Sequence, residues 1–260
     1  MLQYLQLQVF RTTNVIFGIF FKYAPQRFVL LCYKLCLRYH AAGTGAECTK
    51  NSVLKSVAHG RKASIRHELM LPSVAIVDPS LTSTCPPDVT AHVGMDALCQ
   101  CIEPFVSINA NPFVDAVARE GIFRASRSIR AAVADGATDM RAREDMAMVS
   151  VLGGLSLANA KLGAVHGFAS VLGGMYETAP HGAICAALLP STFRKNYEKL
   201  NSLLALEQDE EKHKFMSRQL ERFHEVARIL TGNSQATAED GALWLETLVR
   251  DLKVISILRI

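Results

Sequence analysis

From about residue 81 onward, apolar residues recur at helical spacing in one segment after another, and strand signals are absent. "PPDVTAHVGMDALCQCIEPFVS" starts on prolines and keeps an apolar face at Val89, Val93, Leu98 and Ile102. "NPFVDAVAREGIFRASRSIRAAVADG" opens on Asn111 as a cap with Pro112 at the first helical position, and it stops at Gly136. "MRAREDMAMVSVLGGLSLANAKLG" is rich in Ala and Gly, as suits close packing in a helical interior. "ICAALLPSTFRKNY" and "MSRQLERFHEVARILTG" are two further helices, and "TAEDGALWLETLVRDL" begins with the capping box Thr237-x-x-Asp240. No internal repeat interrupts the series. The pattern predicts a mainly α protein, a helical bundle over 81–260.

Upstream the texture is different. "AAGTGAECTKNSVL" is a Gly-rich turn, readable either as a phosphate or ribose contact or as an ordinary tight turn. "SVAIVDP" reads as a short buried strand, an apolar run stopped by Asp78 and Pro79. Residues 41–80 thus read as a remnant of an α/β domain ahead of the bundle.

Residues 1–40 form a basic, apolar head carrying Arg11, Lys22, Arg27, Lys34 and Arg38 and no acidic residue. Three readings stay open for it: an amphipathic mitochondrial-type presequence, a surface-lying helix, or sequence foreign to the fold. It is expected to pack poorly or only as an isolated helix. Its apolar runs fall short of the ~20 residues a spanning helix requires, so no transmembrane span is expected. A cytoplasmic location is expected, with the mitochondrion as the alternative.

The formal charge of +4 is concentrated in that head, which leaves the rest of the chain near neutral. A nucleic-acid partner would need Lys and Arg clustered on a folded face, and no such cluster appears after residue 46. The seven cysteines include no CxxC pair, and a chain of 260 residues needs no disulfide staples, so a reducing compartment is expected. Cys99 and Cys101 read as small hydrophobes on a buried helix.

The chemistry-bearing residues are sparse. "GAVHGFASVLGGMYETAPHG" places His166 and His181 at either end of a glycine-studded stretch. On the first helix, Asp96 and Gln100 are four apart and share a face. One carboxylate, one amide oxygen and two imidazoles suffice to hold a divalent first-row metal with a position left open for substrate. Histidines satisfied within the core are the competing reading.

Longer stretches carry a family resemblance. "GMDALCQCIEPFVS", "NANPFVDAVAREGI", "LANAKLGAVHGFASVLGG", "PHGAICAALLP" and "VARILTG" resemble the C-terminal helical domain of the iron-containing (group III) alcohol dehydrogenases, relatives of dehydroquinate synthase. "AAGTGAECTKNSVL" and "LMLPSVAIVDPSLT" resemble the last part of that family's nucleotide-binding domain. The resemblance implies hydride transfer between NAD or NADP and a small alcohol or aldehyde, beside Fe(II) or Zn(II); a homo-oligomer is a separate partner expectation.

By the same resemblance, Asp96, Gln100, His166 and His181 fall on metal-ligand positions, with Gln100 standing where the commoner residue is histidine. Ser170 stands where the family places a further histidine near the substrate. Thr44, Gly45, Lys62 and Leu81 match positions that face the dinucleotide. With Gln100 in place of a histidine, weak metal binding is expected, and with only 40 residues ahead of the matching region, without a GGGS-type phosphate loop, no turnover is expected of the chain as it stands. A partial alcohol dehydrogenase, a non-catalytic metal-binding or oligomerisation module, and a ligand-free remnant are the three functional readings.

Overall fold

A computed structural model of the chain describes residues 6–12, 15–24, 27–31, 41–56, 61–72, 74–176 and 179–254, with backbone only for 6–31, 54–56 and 61–63. The protein is mainly α, with seven α-helices among the described residues: α1 (Pro87–Phe105), α2 (Pro112–Ala134), α3 (Met140–Ala160), α4 (Ala164–Met175), α5 (His181–Leu204), α6 (Glu210–Thr231) and α7 (Ala238–Asp251). The described residues of the N-terminal part form two small antiparallel sheets. One is the meander β1 (Gln6–Thr12), β2 (Val15–Ala24), β3 (Arg27–Leu31), and the other is the hairpin β4 (Asn51–Ser56), β5 (Arg61–Arg66).

α1 is the axis of the bundle. From Ala91 to Phe105 every residue except Val93 is buried, because α2, α3 and α5 all pack against it. Apart from one strip of polar residues, this enclosed helix is apolar or small, and Ala91, Gly94, Ala97, Cys99 and Cys101 let its neighbours come close. Val89 and Val93 of the expected apolar face stay half-buried while Leu98 and Ile102 are fully enclosed. The caps are where the side-chain chemistry requires them. Asn111 Oδ1 accepts from Val114 N–H at 3.1 Å, and Thr237 and Asp240 form the reciprocal capping box of α7.

Charged groups tie the helices together where the core allows it. Asp145 on α3 takes Arg124 at 2.8 Å, Arg127 at 2.7 Å and the Ser128 hydroxyl, all from α2. Burial pushes the Asp145 carboxyl up, but the Arg127 and Ser128 hydrogen bonds and the guanidinium charges outweigh it, holding it below the usual 3.8. Arg143, also buried, is neutralised by no carboxylate among its hydrogen-bond partners. Its guanidinium donates to Gly136 O, Thr90 Oγ1 and Cys85 O instead, clamping the start of α1 to α3.

Two sequence expectations change, and one helix is added. Among the described residues of the head there is no isolated helix, and these residues form the β1–β2–β3 meander. Runs such as "VIFGIFF" are β-branched and aromatic, which favours a pleated surface. Residues 74–78 are not a buried strand, since Val74 and Ile76 are 62% and 63% exposed and no described strand lies beside them to share hydrogen bonds. Residues 164–175, not expected as a helix, form α4. No single helix among the described residues is long and apolar enough to cross a membrane.

Candidate metal centre

The centre is built where α1, α4 and α5 meet. On α1, Asp96, Cys99, Gln100 and Glu103 lie at i, i+3, i+4 and i+7, so their side chains line one strip of the helix. That strip carries two buried carboxylates, which are costly unless paired. Both are paired with His166, in the first turn of α4. Its Nε2 lies 3.1 Å from Asp96 Oδ1 and its Nδ1 lies 2.7 Å from Glu103 Oε2.

Glu103 also places α4 itself. Its Oε1 accepts from Val165 N–H at 2.8 Å, satisfying one of the free donors at the start of the helix. One carboxylate therefore both anchors α4 and orients the ring that α4 carries.

His181 is the first residue of α5 and comes within 3.7 Å of Asp96 Oδ1 through Nε2, its ring centroid 5.5 Å from that of His166. Gly182 makes this approach feasible. A Cβ there would sit 2.0 Å from the carbonyl oxygen of His92, so only glycine lets α5 touch the backbone of α1 one turn before Asp96. The side chain of His181 is 36% exposed, so the cluster opens to solvent on that side and is closed elsewhere by Asp96 and His166.

Asp96, His166 and His181, expected from sequence as ligands, are thus brought together. Gln100 joins through its amide nitrogen, which donates to Asp96 Oδ2 at 3.1 Å, while its buried Oε1 has no hydrogen-bond partner. Sequence reasoning missed Glu103 and Cys185. Cys185 is one helical turn beyond His181, and its Sγ is 3.7 Å from His181 Nε2 and 4.0 Å from His166 Nε2. The signals were the i+7 spacing from Asp96 and the i+4 spacing from His181. Cys99 is buried as expected, yet it too reaches the centre, 3.7 Å from His166 Nδ1.

The electrostatics follow from crowding acids, imidazoles and thiols in one largely buried place. Burial raises the Asp96 carboxyl, but the His166 hydrogen bond and the charges of His181 and His166 bring it below 3.8. Burial disfavours the imidazolium of His166, yet hydrogen bonds to Asp96, Cys185 and Glu103 outweigh that and hold its pKa well above 6.5. Cys185 is held down to about 5, chiefly by a hydrogen bond from Cys99, against the opposing effect of burial and with help from His166 and His181.

The donor set fits a divalent metal. Asp96, His166, His181 and Cys185 each offer one ligand atom, and these atoms all lie within 4.8 Å of one another. The buried oxygen of Gln100, which lies against Gly153 of α3, is an acceptor without a donor.

The other expected site residues are placed as follows. Ser170 Oγ donates to the carbonyl of His166 at 2.8 Å, one turn back on its own helix. Thr44 is exposed, while Gly45 is buried at φ +56° and donates its N–H to Ser150 Oγ on α3 at 3.1 Å. A Cβ on Gly45 would fall 2.4 Å from Ser150 O, so packing on α3 alone accounts for this glycine. Lys62 sits on β5 opposite Lys55, its side chain outside the description, and half-buried Leu81 lies in the short turn Pro79–Thr82 that precedes α1.

A bundle that gathers a carboxylate and two imidazoles from three helices offers the ligand types a divalent metal takes, and comparison with known proteins specifies the family. The model of the Fe-containing alcohol dehydrogenase family, C-terminal part, matches residues 90–259, and that of iron-containing alcohol dehydrogenase matches residues 40–79. The chain belongs to the iron-containing alcohol dehydrogenase family. It is 47% identical over 149 residues to long-chain-alcohol dehydrogenase 1 of Geobacillus thermodenitrificans, covering 57% of this chain but 37% of that protein. Among solved structures it resembles 1,3-propanediol oxidoreductase, with TM-score 0.71 and 34% identity over 83% of this chain and 52% of that one. It also resembles sulfoacetaldehyde reductase of Bifidobacterium kashiwanohense in complex with NAD+, with TM-score 0.70 and 27% identity over 91% and 61%. The chain therefore spans between about two fifths and three fifths of the proteins it resembles.

Proposed function

We propose that this chain carries the metal-holding part of an alcohol dehydrogenase, which transfers hydride between NAD or NADP and a small alcohol or aldehyde beside Fe(II) or Zn(II). The observation that carries the reading is the convergence of Asp96, His166 and His181, held by three different helices, on one buried spot open at His181. The names of the relatives and the NAD+ held by one of them support the substrate class and the cofactor.

When bound there, the metal would supply Lewis-acid polarisation of the substrate oxygen. The residues of the chain do the rest. Asp96 contributes the negative charge that favours a cation. Glu103, on Nδ1 of His166, fixes the tautomer that leaves Nε2 directed at the centre. The exposed edge of His181 is the side from which a small polar molecule reaches the cluster.

Metal uptake measured by equilibrium dialysis tests this reading directly. About one Zn(II) or Fe(II) per chain is expected, with loss of uptake in Asp96→Ala and His166→Ala. Alcohol-dependent reduction of NAD or NADP by the metal-loaded chain, above a metal-free control, tests the activity.

A second reading, a non-catalytic metal-binding or oligomerisation module, is favoured by two observations. The Ser170 hydroxyl is committed to its own helix, and α4 exposes Phe168, Val171 and Met175 at i, i+3 and i+7. Metal uptake without nicotinamide reduction, together with self-association in sedimentation that Val171→Glu abolishes, would select it.

A further inference from the structure

Resting on the metal-centre reading above, the geometry points to Cys185 as a metal ligand of this chain, in the place where Gln100 would otherwise serve. The set becomes Asp96, His166, His181 and Cys185, one carboxylate, two imidazoles and one thiolate.

The distances favour it. A tetrahedron with bonds of about 2.0–2.3 Å has edges of roughly 3.3–3.8 Å. Cys185 Sγ lies 3.7 Å from His181 Nε2 and 4.0 Å from His166 Nε2, and Asp96 Oδ1 lies 3.7 Å and 3.1 Å from the same two nitrogens. The four atoms are therefore spaced nearly as a coordinated set is spaced. His181 and Cys185 are also four apart on α5, so one helix delivers both to the same side.

Gln100 is disposed differently. Its nitrogen is the atom that meets Asp96, and its oxygen lies against Gly153 of α3, where an added Cβ would be 3.5 Å away. A donor is missing on the α1 side and a sulfur is present on the α5 side. Thiolate is a soft ligand, so this set would prefer Zn(II) or Co(II) over the harder Fe(II).

Cobalt reports the ligand without any need for activity. The metal-free chain is titrated with Co(II) while visible d–d bands and the near-ultraviolet thiolate-to-cobalt charge-transfer band are followed. Both are expected in the unaltered chain and in Gln100→Ala. Cys185→Ser should retain the d–d bands, lose the charge-transfer band and weaken Zn(II) binding by about tenfold or more. Cobalt bound without the charge-transfer band in the unaltered chain overturns ligation by Cys185 and leaves the metal reading standing. Failure to bind cobalt at all overturns both. A band that survives Cys185→Ser and disappears in Cys99→Ser assigns the thiolate to Cys99 and overturns the inference; because the first measurement is made on the unaltered chain, it does not depend on a variant folding.

Discussion

Glu103 Oε2 lies 2.7 Å from Nδ1 of His166, on the opposite side of the ring from Asp96, and the other oxygen of the same carboxylate holds the start of α4. A metal-binding histidine whose second nitrogen is fixed in this way loses affinity when that partner is weakened, typically by 10–100-fold. Glu103→Gln keeps the shape and removes the charge. Its Zn(II) dissociation constant should rise by about that factor in calorimetric titration, and an unchanged value would mean that Glu103 serves only to cap α4.

Gly182 sets the distance between α5 and α1. A methyl at this position would meet His92 O at 2.0 Å, so Gly182→Ala has to move α5, carrying His181 and Cys185 with it. Overpacking of this kind costs about 1–3 kcal/mol. Urea denaturation should show a loss of that size, together with weaker metal binding. Loss of stability with full metal affinity would show that the centre tolerates the displacement.

Gln100→His would add a third imidazole to those of His166 and His181, on the side where Gly153 leaves room. Imidazole binds borderline metals more strongly than a neutral amide oxygen. Zn(II) binding should tighten by about tenfold, or ~1.4 kcal/mol. Competition against a chromophoric chelator measures it, and a weaker complex would show that the position faces away from the metal.

Asp145 governs part of the acid limb of stability. Its carboxyl is held below 3.8 in the folded protein by Arg127, Ser128 and Arg124, so it binds protons less readily folded than unfolded. The stabilisation it gives is present above the unfolded value and is lost as pH falls through the lower, folded value. Asp145→Asn should cost about 1.5–3 kcal/mol at neutral pH, as expected for hydrogen bonds to a charged group. The difference should shrink below pH 3.8 in thermal denaturation. A constant difference across the acid range would assign the loss to packing alone.

The sequence by itself determined the helices whose periodicity and caps are local. α2 begins at the Asn111 cap and α7 at the Thr237–Asp240 box because those side chains satisfy backbone donors a few residues away, wherever the helix later packs. Asp96 with Gln100 was legible for a related reason, since a spacing of four fixes a shared face on any helix. Other features required the assembled bundle. Residues 164–175 hold glycines at 167, 173 and 174 and lack a side-chain cap of their own, and their first turn is secured by Glu103, some 60 residues earlier in the chain. Val74 and Ile76 read as a strand, but a strand exists only beside a partner, and none of the described strands lies there. Glu103 and Cys185 each had a visible spacing, yet spacing says only which residues share a helix face. Which face meets which was decided by small residues such as Gly182, through backbone contacts between segments distant in sequence, and local periodicity carries no record of them.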